Sequence, residues 1–250
     1  MMKPGYLIPV YNHGATAGAV VEGLLARRDL PLILVDDGSD HETKRRLAEI
    51  IAAHPQAVLV TLEKNSGKGA AIAAGVNCAR ELGLSHVLQV DADGQHDLER
   101  ADFFLDQAAR YPEALICGTP VFDESAPASR KNGRKVANVW ARIVTLSPDI
   151  SDALCGFRVY PVDPLWRLFR SHSLDWRMGF DAEVLVRLFW QGIPFLFFPV
   201  RVIYPPGGIS HFHVIRDNAR ISWVYCRLFF GMLLRFPVLL ARRFRRGRSA

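Results

Sequence analysis

Two carboxylates one residue apart, in the run Asp91-Ala92-Asp93-Gly94-Gln95-His96, follow directly on Val87-Leu88-Gln89-Val90. That mostly apolar run reads as the end of a buried strand, and in open α/β sheets ligands bind beyond the carboxyl ends of strands. Two hard oxygen donors at such a point suit Mg²⁺ or Mn²⁺. These ions take few protein carboxylates and complete their shell with water and substrate phosphates. Three more strand-like runs end in polar clusters: Pro9-Val10-Tyr11-Asn12, Asp36-Asp37-Gly38-Ser39 and Asn65-Ser66-Gly67-Lys68-Gly69. Two acidic strand ends fit a nucleotide, one carboxylate accepting from base or ribose while the other holds the metal. Lys68, between two glycines, can approach a phosphate or a base, although the same five residues also read as a plain tight turn. The G-x-x-x-x-G-K-[ST] spacing is absent, and so is G-x-G-x-x-G after the first strand. Neither a Walker loop nor a dinucleotide site is expected.

The elements that must carry these clusters alternate in type. Tyr6 to Val10 is a first strand and residues from about Thr16 to Arg27 a helix. Leu32 to Val35 is a second strand, with a helix from about His41 to Ala53 after it. The strand Ala57 to Thr61 leads through the glycine cluster into a small-residue helix ending near Leu82. The D-x-D strand, a helix near Leu98 to Arg110 and a strand at Leu115 to Cys117 complete the first half. Strands separated by helices of this length imply right-handed crossovers and a mainly parallel sheet. Residues 120 to 135 contain Pro, Ser and Lys/Arg and read as a long loop. A strand after Asp152 to Arg158, a helix from about Gly179 to Trp190 and the apolar run Phe195 to Val200 follow.

With 250 residues, half of them hydrophobic and 22% charged, the chain is of ordinary globular composition. Cys78, Cys117, Cys155 and Cys226 stand far apart, which suggests neither a zinc site nor a disulfide framework and fits a reducing compartment. The first strand begins so early that no room for a signal peptide is expected. The net charge of +6 is unevenly placed. Residues 214 to 250 hold nine arginines and one acid, Asp217, which is +8, so the other 213 residues total −2. This is a near-neutral domain, residues 1–213, with a basic tail, residues 214–250. Nucleic acid is not an expected partner, because a phosphate-tracking surface should spread over the fold.

The motif set resembles the family 2 glycosyltransferases of the GT-A fold, and within them the dolichyl-phosphate mannose synthase and polyprenyl-phosphate glycosyltransferase branch. It is carried by Pro9-Val10-Tyr11-Asn12, Val35-Asp36-Asp37-Gly38-Ser39-x-Asp, Asn65-x-Gly-Lys-Gly-x-Ala, Asp91-Ala-Asp-Gly-Gln95 and Asp152-x-x-x-Gly156-Phe157-Arg158. The resemblance implies an α/β GT-A fold with a mainly parallel, Rossmann-like sheet flanked by helices and a C-terminal helical tail. It further implies a metal-dependent, inverting transfer from a nucleotide-diphosphate sugar, with a lipid or polyprenyl-phosphate acceptor favoured. Pro9, Tyr11 and Asp37 would line the base and ribose pocket, with Asn12, Lys68 and Arg134 among the other donor contacts. Asp91 would lie near ribose and metal, and Asp93 and Gln95 would bind the ion. His211 falls where some glycosyltransferases place a metal- or phosphate-contacting residue, though lone histidines such as His211 and His213 are more often structural.

Asp152 is the first candidate for an acceptor-side base, and a helix N-cap or a partner for Arg158 is its plainer reading. Asp181, with Glu183, is the rival, in a first helical turn where acids are favoured anyway. A phosphate acceptor is already ionised at pH 7 and needs no base. Arg130, Lys131, Arg134 and Lys135 form a basic loop able to close over a diphosphate or an anionic acceptor, or simply a solvated one. Two departures from the family pattern stand out: His13 replaces an acid, and Gly118-Thr119-Pro120 replaces a common Gly-Ser-Arg.

Residues 221 to 240 are apolar and aromatic, but Arg227 and Arg235 interrupt them and Pro237 should kink a helix there. An interfacial helix is expected, with Trp223, Tyr225, Phe229 and Phe230 at the headgroup level and the arginines on anionic lipid. Packing on the domain and docking on a partner protein are the alternatives. The expected place is peripheral, on the cytoplasmic (inner) face of the cytoplasmic membrane. Two rival functions are a sugar-nucleotide nucleotidyltransferase and a non-catalytic nucleotide-sugar-binding module. The first usually has a Gly-rich basic loop after the first strand, where Tyr11-Asn12-His13-Gly14 stands here.

Overall fold

Seven strands form one sheet in a computed structural model that describes residues 2–122, 128–203 and 214–246. They are β1 (Pro4–Val10), β2 (Leu32–Asp36), β3 (Ala57–Thr61), β4 (His86–Gln89), β5 (Leu115–Phe122), β6 (Arg158–Pro161) and β7 (Phe195–Val202). The described helices are α1 (Gly14–Leu25), α2 (His41–Ala53), α3 (Lys68–Glu81), α4 (Ala101–Arg110), α5 (Ala128–Thr145), α6 (Val162–Ser171), α7 (Phe180–Gln191) and α8 (Val214–Arg246), with a 3-10 turn at Leu98–Arg100.

The strand order is β3-β2-β1-β4-β6-β5-β7, and every strand but β6 runs in one direction. The sheet is therefore mainly parallel, as expected, with one reversed strand at its middle. Alternation along β1 sends Tyr6, Ile8 and Val10 to one core layer and Leu7 to the other, the period of two that a strand imposes. One layer packs beneath α1, α2 and α4, and the other beneath α3, α5, α6, α7 and α8. All of Leu-Ile-Leu-Val-Asp in β2 is buried, as a parallel strand covered on both faces must be. Gly75 of α3 lies against Leu7, and a Cβ there would collide with that side chain. The small residues of α3 thus let the helix sit close on β1.

Residues 120 to 135 are not one long loop: β5 continues to Phe122 and α5 begins at Ala128. Ala137, Ala141 and Val144, spaced four and three apart, bury one stripe of α5, and Lys and Arg are good helix formers. Lys131, Arg134 and Lys135 consequently belong to a helix. No element was expected at residues 162–171, where α6 forms. Pro164 falls in the first turn, where its missing N–H is no loss.

Helix α8 continues through Pro237 and lays Val224, Tyr225, Leu228, Met232 and Leu239 into the core. Two ion pairs pin it, Arg220 to Asp175 at 2.7 Å and Arg227 to Glu183 at 2.9 Å. Of the four aromatic residues expected at a headgroup layer, Trp223 and Phe230 are exposed and Phe229 is half-buried. Tyr225 instead faces inward, and its hydroxyl donates to the Ala137 carbonyl at 2.9 Å.

Candidate active site

The carboxyl ends of β1, β2 and β4 and the N-terminus of α3 converge on one cavity of about 1570 Å³. At the exit of β1, Pro9 and Tyr11 line it. Asn12, in the left-handed region with φ 55°, does not. Its N–H donates to Ser39 Oγ at 3.0 Å and its Oδ1 accepts from the Asp40 N–H at 2.9 Å. It staples the β1 exit to the β2 exit.

Asp37 is the wall residue of the β2 exit. Its carboxylate accepts the N–H groups of Ser66 at 2.7 Å and Gly67 at 2.9 Å, so the β2 turn carries the loop that opens α3. Burial pushes the Asp37 carboxyl above its ordinary range, against those two donors and the nearby Arg177. Gly67, at φ 100°, has no room for a Cβ beside the Trp176 carbonyl, which accepts the Gly69 N–H at 2.9 Å. Arg177 donates to Asn65 Oδ1 at 2.9 Å and to its carbonyl at 3.0 Å. The loop before α7 is locked in this way onto the N-terminus of α3.

Lys68, the first residue of α3, reaches two carboxylates from different elements. Its Nζ lies 2.8 Å from Asp91 Oδ1 and 3.1 Å from Asp181 Oδ2. Burial opposes its charge, but Asp181 and Asp91 outweigh burial and hold the ammonium above its ordinary pKa. In Asp91 burial likewise works against ionisation, and Lys68, then His96, hold the carboxyl below the usual carboxylate range. Gly156 passes so close to this pair that a Cβ would meet the Asp91 carboxylate.

In the D-x-D turn the Gln95 N–H donates to Asp93 Oδ1 at 3.0 Å, and Gly94 takes φ 72°. Asp91, Asp93 and Gln95 all line the cavity. His96 packs on Phe157 with ring centroids 5.5 Å apart, and burial holds it below its ordinary pKa against Asp91 and Asp93. Among the described residues no group of three or more His, Cys, Asp or Glu is arranged to hold an ion. The oxygen donors present are two carboxylates and an amide. His211 and His213 lie outside the described residues.

The two base candidates have different surroundings. Asp152 is 2% exposed and absent from the cavity wall. Its Oδ1 accepts the Cys155 N–H at 2.6 Å, the Leu154 N–H at 2.9 Å and Arg134 Nη1 at 2.6 Å, while Asn138 Nδ2 lies 3.3 Å from Oδ2. It does not pair with Arg158. That buried guanidinium donates to Tyr160 Oη, the Asp181 carbonyl and the Ala153 carbonyl at 3.0, 2.9 and 2.8 Å. Asp181 does line the cavity, and its Oδ1 is buried with no hydrogen-bond partner among the described residues. Glu183 faces away, fully buried between Arg187 and Arg227.

The cavity also has an apolar side that no local motif announces. Val136, Trp140, Ile221, Phe229 and Phe230 from α5 and α8 line it, with Arg134 on the same face of α5. Arg177 and Asp217 are further wall residues without a sequence signal, since neither stands in a spaced motif.

Comparison with known proteins settles the family. The description "Glycosyl transferase family 2" matches residues 6–169. The chain belongs to that family. Family 2 membership agrees with a polyprenol monophosphomannose synthase of Mycolicibacterium smegmatis, 30% identical over 209 residues that span 82% of this chain and 78% of the relative. A dolichyl-phosphate beta-glucosyltransferase of Dictyostelium discoideum is 25% identical over 199 residues, 72% of this chain and 60% of its own length. The family 2 chain thus spans about three fifths of the dolichyl-phosphate relatives it matches. Among solved structures, glucosyl-3-phosphoglycerate synthase from Mycobacterium tuberculosis in complex with Mn²⁺ and UDP-glucose superposes with a TM-score of 0.67 at 13% identity, covering 92% of this chain and 79% of that one. The same enzyme with UDP gives 0.69 at 14% identity, covering 91% and 80%. The fold is GT-A, a seven-stranded mixed sheet flanked by helices and followed by a C-terminal helix.

Proposed function

We propose that this chain transfers a sugar, with inversion, from a nucleotide-diphosphate sugar to a polyprenyl-phosphate or related lipid-linked acceptor at a membrane surface. The observation that carries the reading is the two-sided cavity. Strand-end carboxylates and Lys68 line one part of it, and the apolar faces of α5 and α8 line another. A nucleotide diphosphate suits the first part, and an acceptor with an apolar chain suits the second. The relatives named for dolichyl-phosphate and polyprenol substrates support the same assignment.

Pro9, Tyr11 and Asp37 would receive base and ribose. Asp91, Asp93 and Gln95 would hold Mg²⁺ or Mn²⁺ beside the diphosphate. Their oxygen donors suit a hard cation that draws its remaining ligands from water and phosphate. When bound, such an ion acts as a Lewis acid toward the charge that builds on the leaving diphosphate. In the reaction an acceptor oxygen forms a bond to the anomeric carbon while the bond to the β-phosphate oxygen breaks, its electron pair leaving on the nucleotide diphosphate. Lys68, paired with Asp91 and Asp181, would hold both carboxylates in place beside the diphosphate. A phosphate acceptor brings its own ionised oxygen. Were the acceptor a hydroxyl, Asp181, on the wall, would be the base in preference to Asp152.

A tail carrying nine arginines and one acid, with an exposed apolar face on α8, suits the anionic inner leaflet of a cytoplasmic membrane. This assigns residues 1–213 to catalysis and 214–250 to membrane contact, with α8 also completing the cavity wall. The test is a thermal-shift panel of UDP-, GDP- and dTDP-sugars with and without Mn²⁺, followed by transfer assays on prenyl phosphate. A Mn²⁺-dependent rise with one nucleotide, lost in Asp93→Ala, supports the donor site by mass action. Binding without transfer to any acceptor would favour a non-catalytic module and sink the proposal.

A further inference from the structure

We infer that α5 is a second membrane-contact helix, so that the mouth of the cavity between α5 and α8 opens onto an anionic bilayer. The inference rests on the glycosyl-transfer reading for the acceptor that enters there. It adds a contact surface that lies outside the C-terminal tail.

Helix α5 carries two apolar stripes, where a helix docked on a core in water needs one. Ala137, Ala141 and Val144 form the buried stripe. Val136, Val139, Trp140 and Ile143 form the other, at i, i+3, i+4 and i+7, and are 60, 52, 40 and 40% exposed. Twelve of the eighteen large hydrophobic residues exposed among the described residues stand on α5 and α8, so the apolar surface is one patch and not a scatter. The two helices touch. The Trp140 ring lies 6.2 Å from that of Tyr225, whose hydroxyl donates to the Ala137 carbonyl. Val136 and Trp140 of α5 and Phe230 of α8 are exposed and also line the cavity, which makes the patch its rim.

The charge on α5 says what covers that patch. Its residues include Arg130, Lys131, Arg134, Lys135 and Arg142 and no acid. Lys131, Lys135 and Arg142 recur at i, i+4 and i+11, on a line beside the exposed stripe and away from the buried one. Across the sheet, α2 has an ordinary aqueous face, where Arg45 pairs with Glu49 and Arg46 with Glu42. A second copy seated on α5 would set cations against cations, beside a tail that is itself rich in arginine. A bilayer answers each feature. Anionic headgroups meet the lysines and arginines, Trp140 takes the interfacial layer, and the aliphatic residues enter the acyl boundary. An acceptor's apolar chain then passes from the bilayer into the space between α5 and α8 without crossing water.

Sedimentation of the whole chain with phosphatidylglycerol/phosphatidylcholine vesicles, and with phosphatidylcholine alone, tests the contact. Val139→Ser/Ile143→Ser changes two exposed residues that do not line the cavity, so the melting temperature should hold. This variant should bind the anionic vesicles about tenfold more weakly. Lys135→Glu should weaken binding by about fivefold or more, and the loss should shrink as salt rises. Depth is read from a nitroxide at Val139→Cys in a Cys78→Ala/Cys226→Ser background. The remaining Cys117 and Cys155 are buried, and burial pushes both thiols up to about 12, so they stay unlabelled. On anionic vesicles the Val139→Cys label should lose access to an aqueous relaxant, while a label at Glu49→Cys on α2 keeps it. In transfer assays Val139→Ser/Ile143→Ser should raise KM about tenfold for a long-chain prenyl phosphate embedded in vesicles, and less than about twofold for a short-chain soluble one.

Wild-type protein that binds anionic vesicles, with α5 variants and label reporting no contact, would reject the inference and leave the tail as the membrane contact. Loss of a dimer in light scattering, with vesicle binding unchanged, would make the face an interface between two copies and overturn it as well. An equal rise in KM with the soluble acceptor would place the effect inside the cavity and overturn the entry route. Should the serine variant not fold, the label and Lys135→Glu decide by the same criteria. Wild-type protein that binds no vesicles would refute membrane contact by α5 and tail alike. Transfer to neither acceptor would instead refute the glycosyl-transfer reading, and the vesicle results would then judge the α5 contact without it.

Discussion

Gly156 shows how closely the site is built around one charge pair. Its backbone passes against Lys68 and Asp91, and a Cβ at this position would meet the Asp91 carboxylate and lie 2.8 Å from Lys68 Nζ. Both atoms end side chains that can swing aside, so the fold is expected to tolerate Gly156→Ala at a cost of about 1–3 kcal/mol. The geometry of Lys68 between Asp91 and Asp181 is not expected to survive it. Nucleotide-sugar affinity should fall by about tenfold or more, while the melting temperature drops by only a few degrees. Isothermal titration beside a denaturation curve checks both numbers. Full nucleotide affinity in a folded Gly156→Ala protein would mean that the Lys68–Asp91 pair is not part of the donor site.

At the scale of elements, α7 and α8 meet through a buried carboxylate. Glu183 is fully enclosed, 2.8 Å from Arg187 and 2.9 Å from Arg227, and it also accepts the Asp175 N–H at 2.8 Å. Glu183→Ala leaves two guanidinium groups facing each other without their counter-ion, which costs about 3–5 kcal/mol. Arg227→Gln should cost less, because Arg187 still answers the carboxylate. Chemical denaturation of both variants tests the order, and an Arg227→Gln loss equal to that of Glu183→Ala would contradict it. This pairing also marks where sequence reading stops. The parallel strand ends were legible, because an apolar run followed by Asp37 or Asp91 states both burial and exit. Asp152 stood ahead of Asp181 as the candidate base, each beside a plausible motif, and only packing shows that of the two Asp181 faces the cavity. Helix α5 was hidden by the prolines and serines before it, and the apolar wall it shares with α8 joins segments some eighty residues apart. No local pattern announces that pairing.

At the scale of the whole molecule, the proposed membrane contact turns on α8. Ile215–Phe244 is long and apolar enough to cross one by length and composition. Crossing would withdraw Tyr225, Leu228 and Met232 from the core, and would break Arg220–Asp175 and Arg227–Glu183. Each broken pair would leave a charge buried or in hydrocarbon, at a cost of several kcal/mol. Lying flat keeps those contacts and still gives the bilayer Trp223, 63% exposed, Leu234, 84% exposed, and Phe230. The chain is therefore expected to bind anionic vesicles and not neutral ones, and to weaken as salt shortens the range of the arginine charges. Phe230→Ser with Leu234→Ser should reduce vesicle binding by about tenfold or more through lost apolar burial, with little change in nucleotide affinity. Membranes washed at alkaline pH should release the wild-type protein. Retention after that wash would show that α8 spans the bilayer, and that the ion pairs to Asp175 and Glu183 open when it does.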